Sequence, residues 1–227
     1  MTGAGAELRV LVTGGSRGIG QAIAREYRES GFHVDTPSRD VLDLSSDASI
    51  AQFCASALPP DVLINNAGIN SFEDRAFQAV ENVLRHNKVN AIAPYLLSEW
   101  AIESMVRKRW GRIVNVSSVL AAVHRPHRIA YAMSKASLEA LTRGIAVEYA
   151  EHGILVNAVA PGFVRTELTS RNNSPERLDA IARRIPARRL ADPSEVARLV
   201  CFLGSARNEY VTGQVIRVDG GLLSALD

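Results

Sequence analysis

Short apolar, β-branched runs alternate along this chain with longer stretches of helical period. Leu8 to Val12, His33 to Thr36, Val62 to Asn65, Arg112 to Val116, Ile154 to Val159 and Gln214 to Val218 read as strands. The segments 20–29, 46–57, 77–108, 130–151, 175–184 and 193–204 read as helices. Strands apolar on both faces and separated by helices predict an α/β fold, a parallel sheet wound on both sides. Pro94 is expected to kink the long third helix. One connection breaks the pattern: Val41 and Leu42 form a second short apolar piece only a few residues after the second strand. A parallel crossover needs roughly a dozen residues. The strand usual at this point, and the helix leading to it, are therefore predicted to be missing or vestigial, leaving about six main strands.

Composition narrows this picture. With 227 residues, 47% hydrophobic and 22% charged, the chain is read as a single α/β domain over residues 1–227. A net charge of +2 without any block of like charge argues against nucleic acid or a membrane surface as partner. Cys54 and Cys201 lie far apart and the five histidines have no ligand spacing, so neither a metal site nor a disulfide framework is expected. Met1 to Arg9 has no apolar signal core, and no apolar run is long enough for a bilayer. A cytoplasmic protein acting on a small molecule is the expectation.

The first strand runs into Thr13-Gly14-Gly15-Ser16-Arg17-Gly18-Ile19-Gly20 and a helix. Gly14, Gly18 and Gly20 allow a tight turn, close backbone approach to a pyrophosphate and close helix packing, with Ser16, Arg17 and Ile19 as further contacts. This is the Rossmann-type cofactor position. An NAD-preferring site would carry a carboxylate at the end of the second strand, where this chain reads Thr36-Pro37-Ser38-Arg39. Arg39 with Arg17 suits a 2′-phosphate, which favours NADP(H) over NAD(H). Asp40 stands beside them as an alternative ribose acceptor.

Tyr131 and Lys135 are four residues apart at the start of a predicted helix, hence on one face. A tyrosine is a poor acid–base catalyst at neutral pH, and a neighbouring ammonium favours its phenolate. Upstream, Ser118 closes the strand-like run Val114-Asn115-Val116-Ser117-Ser118.

Together these residues resemble the short-chain dehydrogenase/reductase family, over nearly the whole chain from Leu8 to about Gly221. The family's elements occur in order: the Thr13 to Gly20 loop, Asn65-Asn66-Ala67-Gly68, Asn90, Ser118, Tyr131, Lys135, and Pro161-Gly162 followed by Thr166. The resemblance implies that Tyr131 exchanges a proton with the reacting oxygen while Ser118 holds that oxygen. It implies that Lys135 binds the nicotinamide ribose and acidifies the tyrosine, and that Asn90 holds a relay water. Asn87 is a rival for that last role. Asn66, Ala67 and Gly68 would line the adenosine ribose. Ser38, Arg39, Asp43 and Leu44 would meet the adenine end, and Pro161, Gly162, Val164 and Thr166 the nicotinamide end. For Asn66 and Asn115 satisfaction within the sheet is the competing account, and for Asn115 the better one. A homotetramer or homodimer is implied, and Leu138, Leu141, Ile145 and Val147 add more apolar surface than one sheet face covers.

The substrate side is expected between Val119 and Ala130 and in a loop at about 163–190, where Asn172-Asn173-Ser174-Pro175 begins a candidate lid. Here lie His124-Arg125-Pro126-His127-Arg128 and Arg183, Arg184, Arg188 and Arg189. Such charge would steer an anionic substrate, although a solvated rim or subunit contact explains each residue singly. The leading reading is reduction of a carbonyl, nearest to the 3-oxoacyl thioester reductases in Gly-Ser-Arg-Gly-Ile-Gly and Ala160-Pro161-Gly162-Phe163. The alternatives are an NAD(P)-dependent dehydrogenase of a sugar, polyol or biosynthetic intermediate and a non-catalytic dinucleotide sensor.

Overall fold

The computed structural model describes residues 8–72, 77–171 and 173–225. Strand β1 (Arg9–Val12) leads into α1 (Gly18–Glu29), β2 (His33–Asp35), α2 (Asp47–Ser56), β3 (Val62–Asn65) and α3 (Val80–Asn87). A π-helical turn over Lys88–Ile92 joins α3 to α4 (Ala93–Lys108). Then follow β4 (Gly111–Val116), α5 (Ile129–Tyr149), β5 (Ile154–Pro161), α6 (Glu167–Arg171), α7 (Pro175–Arg184), α8 (Pro193–Leu203) and β6 (Val215–Val218).

The six strands form one sheet in the order β2-β1-β3-β4-β5-β6, and every neighbouring pair is parallel. Period-two alternation divides the core between its faces. Val10, Val12, Val62, Ile64, Val114 and Val116 pack with α1 and α8 through Ile23, Val196 and Val200. Leu11, Leu63, Ile113 and Val156 pack on the other face with Leu97, Ala101 and Met105 of α4. Successive strands are added on one side of β1 (β2) and then on the other (β3 onward), so the crevice at the carboxyl ends of β1 and β3 is where this architecture takes its ligands.

The expected vestigial strand is absent among the described residues, and β2 is the edge. Leu42 and Leu44 are buried beside Leu11, Ile50 and Leu63, whereas Val41 faces solvent. The short segment thus plugs the core without pairing. Each leucine contributes about 1.5–3 kcal/mol by burial.

The interruption expected at Pro94 begins one turn earlier. Proline has no N–H to give the Asn90 carbonyl and its ring crowds that oxygen, so the ladder widens and the Ala93 N–H reaches Lys88. Of the expected lid, Asn172 lies outside the described residues. Ser174 caps α7, accepting the Arg177 N–H at 3.3 Å, with Pro175 in its first turn, so that part starts a helix. Residues 1–7, within the N-terminal segment expected to lack a signal, also lie outside the described residues. No helix among those described is long and apolar enough to cross a membrane.

Candidate active site

The glycine loop after β1 bends through positive φ at Gly14 (66°) and Gly18 (57°). A Cβ on Gly20 would collide with the Gly14 carbonyl and the Asn66 side chain. Asn66 clamps this turn, donating from Nδ2 to the carbonyls of Thr13 (2.9 Å) and Gly14 (3.1 Å). In return Thr13 Oγ1 accepts the N–H groups of Asn66 and Ala67 at 3.0 and 3.1 Å. At the start of α1, Arg17 provides no side-chain cap and the first turn holds no acidic residue. The helix end therefore offers N–H donors and partial positive charge without an internal anion, which fits a dinucleotide pyrophosphate.

A cleft of about 400 Å³ opens above this loop, lined among others by Ser16, Gly18, Ile19, Asn66, Ala67 and Gly68. Pro161, Gly162, Val164 and Thr166 form its far wall. Ser38, Arg39, Asp43 and Leu44 fall outside these walls, and Leu44, expected at the cofactor, turns into the core. Trimming the segment after β2 leaves Leu44 to fill a gap that a further strand would have covered.

At the end of β2 the carboxylate of Asp35 is turned back to Arg9 (2.9 Å) and His33 (3.2 Å). Arg28 reaches Thr36 Oγ1 at 3.3 Å, and Thr36 packs against Gly15 of the loop. Arg39 pairs with Asp43 at 3.3 Å, and Arg17 reaches across to Glu167 at 3.1 Å. The Ser45 hydroxyl and N–H hold the Asp43 carboxyl below its ordinary pKa. Asp40 is exposed.

The start of α5 is set from outside the helix: Gln78 Oε1 accepts the Ala130 N–H at 2.8 Å, supplying a cap that Arg128 does not. One helical turn then places Lys135 Nζ 5.9 Å from the centre of the Tyr131 ring. Ser118, extended at the end of β4, hydrogen-bonds the Tyr131 phenol. Burial pushes that phenol above its ordinary pKa, opposed by the Ser118 hydrogen bond and the positive charge of Arg128. The expected acidification by Lys135 is not found. One of its three N–H donors goes to the Val116 carbonyl at 2.7 Å, and burial lowers its own pKa to about 8 against the pull of Glu139.

Asn90 lies in the π-turn and is fully buried. Its Nδ2 donates to the Ile69 carbonyl (3.0 Å) and Ser134 Oγ (2.9 Å), and its Oδ1 accepts the Ile69 N–H (2.9 Å). A Cβ on Gly68 would stand 3.1 Å from Asn90 Oδ1 and 3.4 Å from Lys135 Nζ, so these groups flank one bare backbone position. The rival Asn87 instead donates to the Val83 carbonyl within α3 (3.0 Å) and accepts the Ser137 hydroxyl of α5 (3.5 Å). Asn115 is satisfied inside the sheet layer, though by side chains, with Asn65 at 2.8 Å and Thr142 at 2.9 Å.

On the substrate side the arginines divide. Arg183, Arg184, Arg188 and Arg189 are exposed, and Arg189 pairs with Glu195 at 2.6 Å, which fits a rim. Arg125 and Arg128 line the cleft with Tyr131 and Ser118. Arg128 is only 7% exposed, so the reading of each arginine as a solvated rim fails there. Patterning does not reveal this burial, nor the helix cap from Gln78 or the Arg28–Thr36 contact, because each depends on segments distant in sequence.

The family described as enoyl-(acyl carrier protein) reductase matches residues 14–223. The 3-oxoacyl-[acyl-carrier-protein] reductase of Rickettsia felis is 35% identical over 231 residues, covering 94% of this chain and 95% of the relative. A gluconate 5-dehydrogenase from Burkholderia cenocepacia, solved with NADP and tartrate, superposes with a TM-score of 0.84 at 29% identity, covering 96% of both chains. A 4-hydroxyisoleucine dehydrogenase mutant solved with NADH and succinate gives a TM-score of 0.89 at 27% identity, over 96% of this chain and all of the other.

Proposed function

The chain belongs to the short-chain dehydrogenase/reductase family and is an NAD(P)-dependent oxidoreductase, and we propose that Ser118, Tyr131 and Lys135 are its catalytic residues with Asn90 in support. The observation that carries this reading is the junction of β4 and α5, where Tyr131 meets the Ser118 hydroxyl and Lys135 stands one turn below. A bound nicotinamide supplies or accepts the hydride. Tyr131 gives its proton to a carbonyl oxygen in reduction or takes the hydroxyl proton in oxidation, while Ser118 holds that oxygen. Lys135, with a pKa of about 8, exchanges protons near neutral pH. The side-chain amide of Asn90 is engaged by Ile69 and Ser134, so we assign its relay role to the backbone carbonyl that Pro94 cannot use.

NADP(H) is the proposed cofactor. Asp35 is taken up by Arg9 and His33, while Arg17 lines the cleft and Arg28 reaches Thr36 beside the loop, so the adenosine end offers cations rather than a ribose carboxylate, with Arg39 four residues from its partner Asp43 outside the cleft walls. Val147 and Tyr95 stand exposed on α5 and α4, which supports the proposed homodimer or homotetramer, whereas Leu138 and Ile145 are used internally.

Reduction of a 3-oxoacyl thioester, the activity named for the Rickettsia felis relative, is the first substrate reading. A sugar, polyol or hydroxy-acid dehydrogenase is the second, favoured by the charged wall of Arg125 and Arg128. The test is NADPH oxidation against carbonyls of both classes, with Tyr131→Phe as control. The catalytic reading requires turnover with at least one class and its loss in the variant. NADPH binding without turnover on any carbonyl or alcohol would overturn it.

A further inference from the structure

Arg128 is the anomaly of this cleft. Its side chain is buried, it lines the cavity with Tyr131 and Ser118, and Nη1 has no hydrogen-bond partner. Among the described residues no carboxylate pairs with it either. The other buried guanidinium shows what is missing: Arg112 donates to the carbonyls of Gly111, Gly153, Ser205 and Asn208. A desolvated guanidinium without acceptors is costly unless something else supplies them. The Phe72 ring centre lies 5.2 Å from Arg128 Cζ and the Phe163 ring centre 5.3 Å from Arg125 Cζ, so cation–π contacts hold both groups. A cation–π contact uses no N–H donor, so Nη1 stays open to an anion.

Like charge adds to this. Arg125 feels both Arg177 and Arg128, and its one polar contact is a 3.4 Å bond to Asn173. The nearest carboxylate lining the cleft, Glu167, is held by Arg17. Arg128 immediately precedes α5 and lines the same cleft as Tyr131, and the phenol feels its charge. An anion held there sits within a few atoms of the reacting oxygen. The phosphate of an acyl-carrier arm is far from its 3-oxo group and does not meet that condition.

We propose that Arg128, assisted by Arg125, is a carboxylate-binding subsite, and that the substrate is a small oxo or hydroxy acid whose carboxylate lies a few carbons from the reacting centre. The proposal rests on the oxidoreductase reading above and selects its second substrate class. A charge-assisted pair of this kind changes affinity by about ten- to a hundredfold.

The probes are straight-chain oxo acids with the carbonyl one to four carbons from the carboxylate, each beside its methyl ester, together with dihydroxyacetone phosphate and a 3-oxoacyl thioester. The wild-type enzyme is expected to prefer at least one acid over its ester by about tenfold or more in kcat/KM, mainly through KM. Arg128→Gln should collapse that preference and Arg128→Lys restore it only in part, with NADPH titration reporting that each variant is folded. Equal use of acids and esters, or a preference that survives Arg128→Gln, overturns the subsite while the oxidoreductase reading stands. Preference for dihydroxyacetone phosphate over every oxo acid replaces the carboxylate by a phosphate and also overturns the proposal. If no carbonyl is turned over although NADPH binds, both readings fall.

Discussion

Lys135 donates its ammonium hydrogen to the backbone carbonyl of Val116 at 2.7 Å, tying the first turns of α5 to the end of β4. The bond fixes the distance between two elements that carry Tyr131 and Ser118, and it holds a cation in a buried place. Burial lowers the lysine pKa to about 8 from an ordinary 10.5. Between those values the unfolded chain binds the proton that the folded one has released, so folding stability rises with pH across that window. The burial cost is full below about pH 8 and gone above about 10.5.

Lys135→Met is expected to remove this pH dependence. Denaturant unfolding at about pH 7 and about pH 10 should show the wild type gaining on the variant at the higher pH, by up to about 3 kcal/mol. An identical difference at both values would mean that the lysine is not held in a low-pKa environment.

Tyr131→Phe keeps the ring and removes the proton donor, so kcat should fall by about 10²- to 10⁴-fold while NADPH binding stays within a few-fold. Ser118→Ala withdraws the hydrogen bond that lowers the phenol pKa, so in the oxidative direction the rate's rise with pH should move to higher pH. A rise unmoved by the substitution would deny the serine any influence on the phenol.

Two glycines should respond oppositely to alanine. Gly20→Ala drives a methyl group into the Gly14 carbonyl and the Asn66 amide, and should cost about 1–3 kcal/mol together with NADPH affinity. Gly144 sits within α5 with nothing near its missing Cβ, and Gly144→Ala should raise stability by about 0.5–1 kcal/mol. Thermal melts with and without NADPH separate the two.

Cofactor choice is tested at the loop. Arg17→Ala with Arg39→Ala should weaken NADPH by about ten- to a hundredfold and NADH by much less, measured by fluorescence titration. A wild type that prefers NADH would shift the ribose contact toward Asp40.

The alternation of apolar residues and helices was sufficient to predict the doubly wound sheet, because a strand buried on both faces leaves a continuous apolar run that periodicity detects. The shortened region after β2 was equally legible, since chain length alone forbids a crossover in so few residues. Tyr131 and Lys135 could be paired from local spacing because they share one helical turn, whereas Ser118, two residues beyond β4, took its expected role from the family resemblance.

Burial and partner choice could not be read in that way. The sequence showed Arg125 and Arg128 as two members of a basic loop, and only packing against Phe72 and Phe163 made one of them a buried cation in the substrate cleft. Likewise, the spacing of Tyr131 and Lys135 suggested an acidified phenol, whereas in the fold burial dominates and raises the tyrosine pKa. Local pattern determines which faces meet, since it depends on the covalent repeat of strand and helix. The electrostatics of a site depend on what distant segments bring to it and how much water they exclude, and that is decided only when the chain has folded.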